Sequence, residues 1–179
     1  MGSFLGLDSS TQSLSAMLID TDSGRVLLDE SLSFGKSLPE FGSPSGFLEH
    51  IDPRVKHADP LMWVAALDRL LGQLRARGTD FEAVEGISGA GQQHGSIYLN
   101  RRLSSVPGWD PARDLVSQVR PLLSRSSSPI WMDSSTSQEC AEIAAAVGGD
   151  AEVVRLSGSR ALAERLPRLG APSEVPGEA

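Results

Sequence analysis

Three short apolar runs in the first 34 residues, each parted from the next by a cluster of turn formers, constrain this chain more than any other feature. Phe4 to Leu7 is apolar, Ser13 to Ile19 alternates apolar with polar, and Arg25 to Phe34 alternates loosely. Alternation with a period of two is the pattern of a strand with one buried face. Asp8-Ser9-Ser10-Thr11-Gln12 and Asp20-Thr21-Asp22-Ser23-Gly24 lie between the runs. Such residues hydrogen-bond their own backbone and tolerate tight reversals. The expectation is three antiparallel strands joined by two tight turns.

Downstream the pattern changes. Residues 35 to 60 are rich in Gly, Pro and Ser with isolated aromatics, Phe41 and Phe47, and read as a long, ordered insertion loop. Asp59-Pro60 opens a helix, since proline is tolerated in a first turn. Leu61, Val64, Leu67, Leu71 and Leu74 recur at helical spacing, and Gly78 stops them. Residues 81 to 88 lead into a strand ending at Gly86-Ile87-Ser88, a loop spans Gly89 to Gly95, and Ser96 to Leu99 reads as a fifth strand. A polar excursion follows to Pro129, weakly helical from Pro111 to Leu123. Pro129 to Met132 reads as a short buried strand, and Asp133-Ser134-Ser135-Thr136 caps a helix to about Val147. A second short helix spans Ala151 to Leu156, and Pro167 to Ala179 has the composition of a disordered tail. Strands followed by alternating helices and strands predict an α/β protein with a mixed sheet flanked by helices. Periodicity alone does not choose among α/β arrangements.

The formal net charge of −7 argues against a surface built to grip nucleic acid. It leaves an anionic small molecule open, because backbone N–H groups bind phosphate without net positive charge. Cys140 is the single cysteine, so no internal disulfide forms, which fits a reducing compartment. No basic and apolar leader opens the chain, and no apolar run approaches the roughly 20 residues needed to span a bilayer. The expected location is the cytoplasm, with neither membrane nor nucleic acid as partner.

Three constellations are able to carry chemistry. In Gly6-Leu7-Asp8-Ser9-Ser10-Thr11-Gln12-Ser13 an acidic residue leaves a strand into a hydroxyl-rich turn. Asp8 suits a magnesium ion and the hydroxyls suit phosphate oxygens; a self-satisfied hairpin turn is the plain alternative. In Ser88-Gly89-Ala90-Gly91-Gln92-Gln93-His94-Gly95 glycines admit a ligand close to backbone, while two amides and an imidazole offer directional hydrogen bonds to a polyhydroxylated molecule. A flexible connection with exposed polar side chains is the alternative there. Trp131-Met132-Asp133-Ser134-Ser135-Thr136 places Asp133 either at a strand end facing a cleft or at a helix cap. Cys140 reads as a small buried apolar residue. No metal cluster, P-loop or Ser-His-Asp spacing occurs.

Taken together and in this order, the constellations resemble the FGGY carbohydrate-kinase family. Phe4 to Gln12 resembles the family's first phosphate-contacting hairpin, and Ile87 to Tyr98 closely resembles the sugar-binding loop of its xylulose kinases. Pro129 to Thr136, Ala145 to Gly149 and Leu156 to Ala161 continue the likeness. Leu38-Pro39-Glu40-Phe41-Gly42 with Pro60-Leu61-Met62-Trp63-Val64 points to the eukaryotic type. The resemblance implies an incomplete amino-terminal domain of ribonuclease-H-like, actin/hexokinase-like fold over residues 1–161, with 162–179 a divergent tail. It implies ATP-dependent phosphorylation of D-xylulose to D-xylulose 5-phosphate, with ATP and magnesium as cofactors. It assigns His94 and Gln93 to the sugar, and Asp8, Ser10, Thr11 and Gln12 to the side facing magnesium and phosphate. Arg165 is the family's sugar-binding Arg if one residue is inserted before it.

The family's catalytic base, an Asp followed by Asn in a glycine-rich segment, and its adenosine-binding domain have no counterpart here. No catalytic residue is therefore assigned, and the expectation is a truncated kinase with no appreciable turnover. Other sugar kinases of the family, for glycerol, gluconate or ribulose, and a catalytically inactive sugar-binding fragment are the alternatives.

Overall fold

The computed structural model describes residues 2–160. The chain opens with strands β1 (Ser3–Ser9), β2 (Ser13–Asp20) and β3 (Arg25–Ser33), followed by the single turn α1 (Phe34–Ser37) and the short β4 (His57–Ala58). Helix α2 (Pro60–Ala76) and strand β5 (Val84–Gly91) come next. The last elements are α3 (Leu115–Val119), β6 (Ser128–Pro129), α4 (Ser137–Val147) and α5 (Asp150–Ser157). The main sheet has the order β3-β2-β1-β5; β1 runs antiparallel to β2 and parallel to β5, so the sheet is mixed.

Register decides which face is buried. Leu5 lies opposite Leu18 and Leu7 opposite Ala16, while Leu18 meets Leu28 and Leu14 meets Leu32. Side chains alternate along a strand, so these residues share one face. Helix α2 covers it with Met62, Ala66, Leu70 and Leu74, each fully excluded from solvent. The spacing of four sets the helix face turned to the sheet. Leu67 and Leu71, expected as core, are only partly buried beside it, because the helix carries two apolar stripes and the sheet takes the one with the small Ala66. Asp59 caps the helix through Leu61 N–H at 2.8 Å. Gly78, at φ 88°, closes it: Gly78 N–H bonds Arg75 O and Thr79 N–H bonds Leu74 O.

Several sequence expectations are corrected. β5 does not stop at Ser88; its glycines continue the ladder with β1 as far as Gly91. Backbone pairing is indifferent to the missing side chains, which is why the glycines misled. Residues 96 to 99 form no strand, only a single bridge between Leu99 and Leu123. The insertion between residues 35 and 60 is less a loop than a folded cover: it holds α1, a 3-10 turn at Pro39–Phe41, and β4, which pairs with β6 antiparallel. The strand expected over 129 to 132 is accordingly only Ser128–Pro129. Asp133 does not cap α4. Thr136 stands at that position without a side-chain cap, and Asp133 turns inward instead. The tail from Pro167 to Ala179 lies outside the described residues. Among the described residues no helix is long and apolar enough to cross a membrane.

Candidate functional site

Parallel pairing of β1 with β5 sets Asp8 beside Ala90 and Ser9 beside Gly91, so both strands end at the same place. Segments leaving the carboxyl ends of adjacent parallel strands form the usual ligand crevice of an α/β sheet. Here those segments are the hairpin turn after β1 and the Gln-Gln-His-Gly loop after β5. Gln92 N–H donates to Ser9 O at 2.9 Å, and the Thr11 hydroxyl reaches Gln92 Oε1 at 3.4 Å. The third segment joins them: Trp131 Nε1 donates to Thr11 Oγ1 at 2.9 Å. The Gln-Gln-His-Gly loop is also tied to β6 through Ser96 N–H and Pro129 O at 3.2 Å.

The insertion braces this junction from outside. Gly46, at φ 85°, lies so close to the hairpin that a Cβ there would stand 1.8 Å from Thr11 O. No side chain fits such an approach. Phe34, fully buried, donates its backbone N–H to Gln12 O at 2.9 Å.

Asp133 is the second tie between insertion and site. Buried to 4% exposure, it accepts from Lys56 N–H at 2.9 Å, from Ser135 N–H at 3.0 Å and from the Ser135 hydroxyl at 2.7 Å. His57 Nε2 lies 3.2 Å from its second oxygen, and His57 Nδ1 lies 2.9 Å from the Ser127 hydroxyl. Burial pushes the His57 imidazole below its ordinary value; the Asp133 carboxylate opposes this, and Arg125 and His50 add to it. Neutral His57 satisfies the cluster by donating from Nε2 to Asp133 and accepting from Ser127.

The expected site residues fall into two groups. Gln93 and His94 are exposed on the Gln-Gln-His-Gly loop. His94, at φ 58°, is the one non-glycine residue in left-handed backbone among the described residues. Histidine enters that region more readily than most side chains, but at a cost that local structure must hold in place. Asp8 is exposed on the opposite face of the sheet from Leu5 and Leu7 and lines a cavity of about 410 Å³ with Asp29, Ser15 and Ser88. The Ser10 hydroxyl is 3.0 Å from that of Ser13, Thr11 is engaged by Trp131 and Gln92, and Gln12 is exposed. A separate cavity of about 170 Å³ is lined by Ser9, Trp63, Gly91, Gln92, Gly95 and Ile97. The structure thus unites Thr11 with the Gln-Gln-His-Gly loop but gives Asp8 a different cavity. Arg165 lies outside the described residues.

The described residues hold no cluster of three or more metal-type ligands. Asp8, an exposed carboxylate that shares its cavity with Asp29 and has open space beside the Gly89 backbone, fits a magnesium ion held mostly by phosphate and water. The sequence reading counted Gln92 among the loop's two amides but not as a tie to the hairpin, and it did not place Trp131 or Trp63 at the junction. The one available signal for Trp131 was its place within the short apolar run Pro129 to Met132, two residues before an Asp.

No family model matches the chain. Curated relatives do. The chain is 42% identical over 158 residues to Xylulose kinase of Mus musculus, an alignment taking in 88% of this chain and 28% of that protein. It is 41% identical over 160 residues to Xylulose kinase 2 of Arabidopsis thaliana, with the same two shares. The chain therefore spans little more than a quarter of the length of these relatives. Among solved structures, the xylulose kinase from Bifidobacterium adolescentis superposes with a TM-score of 0.60 at 20% identity, over 91% of this chain and 27% of that one. That likeness shows the fold, which is the actin/hexokinase-like fold of sugar kinases.

Proposed function

We infer that this chain, which is homologous to a segment of the xylulose kinases of the FGGY carbohydrate-kinase family, forms the sugar-facing part of an ATP-dependent D-xylulose kinase. The observation that carries the reading is the junction itself. Parallel β1 and β5 bring the Asp-Ser-Ser-Thr-Gln hairpin and the Gln-Gln-His-Gly loop to one edge, and the loop holds His94 in left-handed backbone. In this reading residues 1–161 are the family-like domain and 162–179 a divergent segment, and the protein works in the cytoplasm.

The reaction moves the γ-phosphoryl group of ATP to a hydroxyl of the sugar, giving D-xylulose 5-phosphate. It asks for positioned reactants, charge neutralisation at the phosphates and a carboxylate to take the hydroxyl proton. His94 and Gln93 orient sugar hydroxyls, with Arg165 as a third contact. Asp8 holds the magnesium side, flanked by the Ser10, Thr11 and Gln12 turn. Magnesium bound there neutralises charge on the phosphate oxygens. Asn100 is the single asparagine in the sequence and follows Leu99, so no Asp-Asn pair is present to supply the family's base. This chain contributes positioning, and the proton acceptor and nucleoside platform belong to other residues of such a kinase.

Calorimetric titration of the 179-residue chain with D-xylulose, ribulose, gluconate and glycerol tests the reading. The expected result is binding of D-xylulose ahead of the others, lost in His94→Ala. Preference for another sugar moves the assignment to another kinase of the family, and binding of none overturns it. A coupled assay with ATP and D-xylulose is expected to show no turnover above background; sustained turnover by the purified chain would refute the assignment of the base to other residues.

A further inference from the structure

Helix α2 turns Met62, Ala66, Leu70 and Leu74 to the sheet, and its opposite face carries Asp68, Gly72 and Arg75, all exposed. Steps of four and three keep these three residues in one row along the helix. They line a groove of about 390 Å³ together with Phe81 and with Trp109, Asp110 and Arg113 of the segment ahead of α3. Gly72 is the unexpected member. Glycine is among the weakest helix formers, and Gly72 stands inside a helix that runs from Pro60 to Ala76. Nothing in the fold asks for it, since a Cβ there would meet no atom within 4 Å. Its effect is to keep that part of the groove open, so that a ligand can lie close to the helix backbone.

The segment ahead of α3 is held by one side chain. Gln118 Oε1 accepts from Asp110 N–H at 2.8 Å, and Gln118 Nε2 donates to Asp110 O at 3.0 Å and to Arg113 O at 2.9 Å. Trp109, next to this clamp, is nevertheless 52% exposed. An indole left on the surface beside a fixed backbone offers a flat apolar face with an N–H at its rim.

The charges divide by role. Arg75 and Arg113 are exposed and enter no ion pair among the described residues; Arg75 instead stands over the Phe81 ring at 6.0 Å. Two guanidinium groups without a carboxylate partner suit a phosphate, whose oxygens match their forked donors. Asp68 and Asp110 stand in the same lining. Carboxylates repel phosphate but accept from hydroxyls. A plain anion therefore gains little from this groove, and a neutral polyol leaves both guanidinium groups unused. A molecule bearing a phosphate and several hydroxyls uses all four charged groups, and its C–H surface suits the indole of Trp109. The volume lies within the range of small-molecule pockets.

We propose that the groove between α2 and the Trp109 to Arg113 segment binds a sugar phosphate, with Arg75 and Arg113 on the phosphate, Asp68 and Asp110 on hydroxyls, and Trp109 against the carbon skeleton. The site is separate from the junction, with which its cavity shares no lining residue, and it does not depend on which sugar the junction takes.

The test uses the full 179-residue chain labelled with 15N-tryptophan, whose three indoles are Trp63, Trp109 and Trp131. Trp109→Phe identifies the Trp109 signal; should it fail to fold, Trp63→Phe and Trp131→Phe assign the other two. D-xylulose 5-phosphate is expected to move the Trp109 signal at a concentration about tenfold lower than D-xylulose or inorganic phosphate needs. Arg75→Gln and Arg113→Gln are each expected to weaken that binding about tenfold. Gly72→Ala is expected to weaken it several-fold while raising the melting temperature, because alanine is the better helix former. General damage to the fold would lower both, so movement in opposite directions marks a blocked groove. A Trp109 signal unmoved by D-xylulose 5-phosphate overturns the proposal, and movement of Trp131 alone assigns the ligand to the junction instead. Equal movement by inorganic phosphate, or affinity within about twofold of the parent in both arginine variants, also overturns it.

Discussion

Trp131 Nε1 donates to the hydroxyl of Thr11 at 2.9 Å across 120 positions of sequence. The bond joins the first turn of the chain to the segment after β6, and with Gln92 it makes three distant stretches meet at one hydroxyl. Trp131 is 46% exposed, so the bond competes with water and its net worth is modest.

Trp131→Phe and Thr11→Val are each expected to cost about 0.5–1.5 kcal/mol in urea unfolding. Because both remove the same bond, the double variant is expected to cost less than the sum of the two. Strict additivity in the four-member cycle would mean that the bond contributes nothing in solution.

Gly46→Ala is expected to be among the most damaging single changes outside the core. Its Cβ meets Thr11 O, and the left-handed backbone adds a penalty of about 1–2 kcal/mol. Gly24→Ala, also in left-handed backbone but with open space around it, provides the control and carries only that penalty. Guanidinium midpoints of the two variants separate the steric contribution from the conformational one.

His94→Gly and His94→Ala are expected to part company. Both remove the imidazole and are expected to abolish sugar binding, but only glycine relieves the positive φ. His94→Gly should melt above His94→Ala by a margin equivalent to about 1 kcal/mol. A glycine variant no more stable than the alanine variant would show that the backbone at 94 is not held in that conformation.

The tie between Asp133 and His57 has a pH signature. His57 has a lower value in the fold than its ordinary 6.5, so protonation favours the unfolded chain. Its contribution is intact above about pH 6.5 and is lost as pH falls from there toward the folded value. Thermal unfolding between pH 5 and 8 is expected to show this loss in the parent chain and a flatter profile in His57→Gln. Asp133→Ala, which strands the Lys56 and Ser135 N–H groups, is expected to cost about 2–4 kcal/mol at pH 7.5.

The strand meander was legible because its cues are local: alternation fixes the face, and the Asp-Ser-Thr and Asp-Ser-Gly clusters fix the turns. Helix α2 was legible in extent but not in rotation, since two adjacent apolar stripes, each with a spacing of four, are equivalent until a sheet chooses between them. The Gln-Gln-His-Gly loop showed itself through composition, whereas its length did not, because Gly89, Ala90 and Gly91 carry no more than one methyl group to mark a strand. What stayed hidden was every relation decided at long range. The pairing of β4 with β6 rests on two residues from each strand, and Asp133 reads as a helix cap until Lys56 is known to face it.

The bonds that converge on Thr11 also set a timetable. The hairpin between β1 and β2 closes over three residues, whereas the partners that position its turn lie 81 and 120 residues further on. Closing such long loops costs entropy before any contact repays it. The sheet can therefore form early while its functional edge stays unfinished. During synthesis Thr11 must wait for Trp131 to leave the ribosome, so the first turn made is among the last to be set.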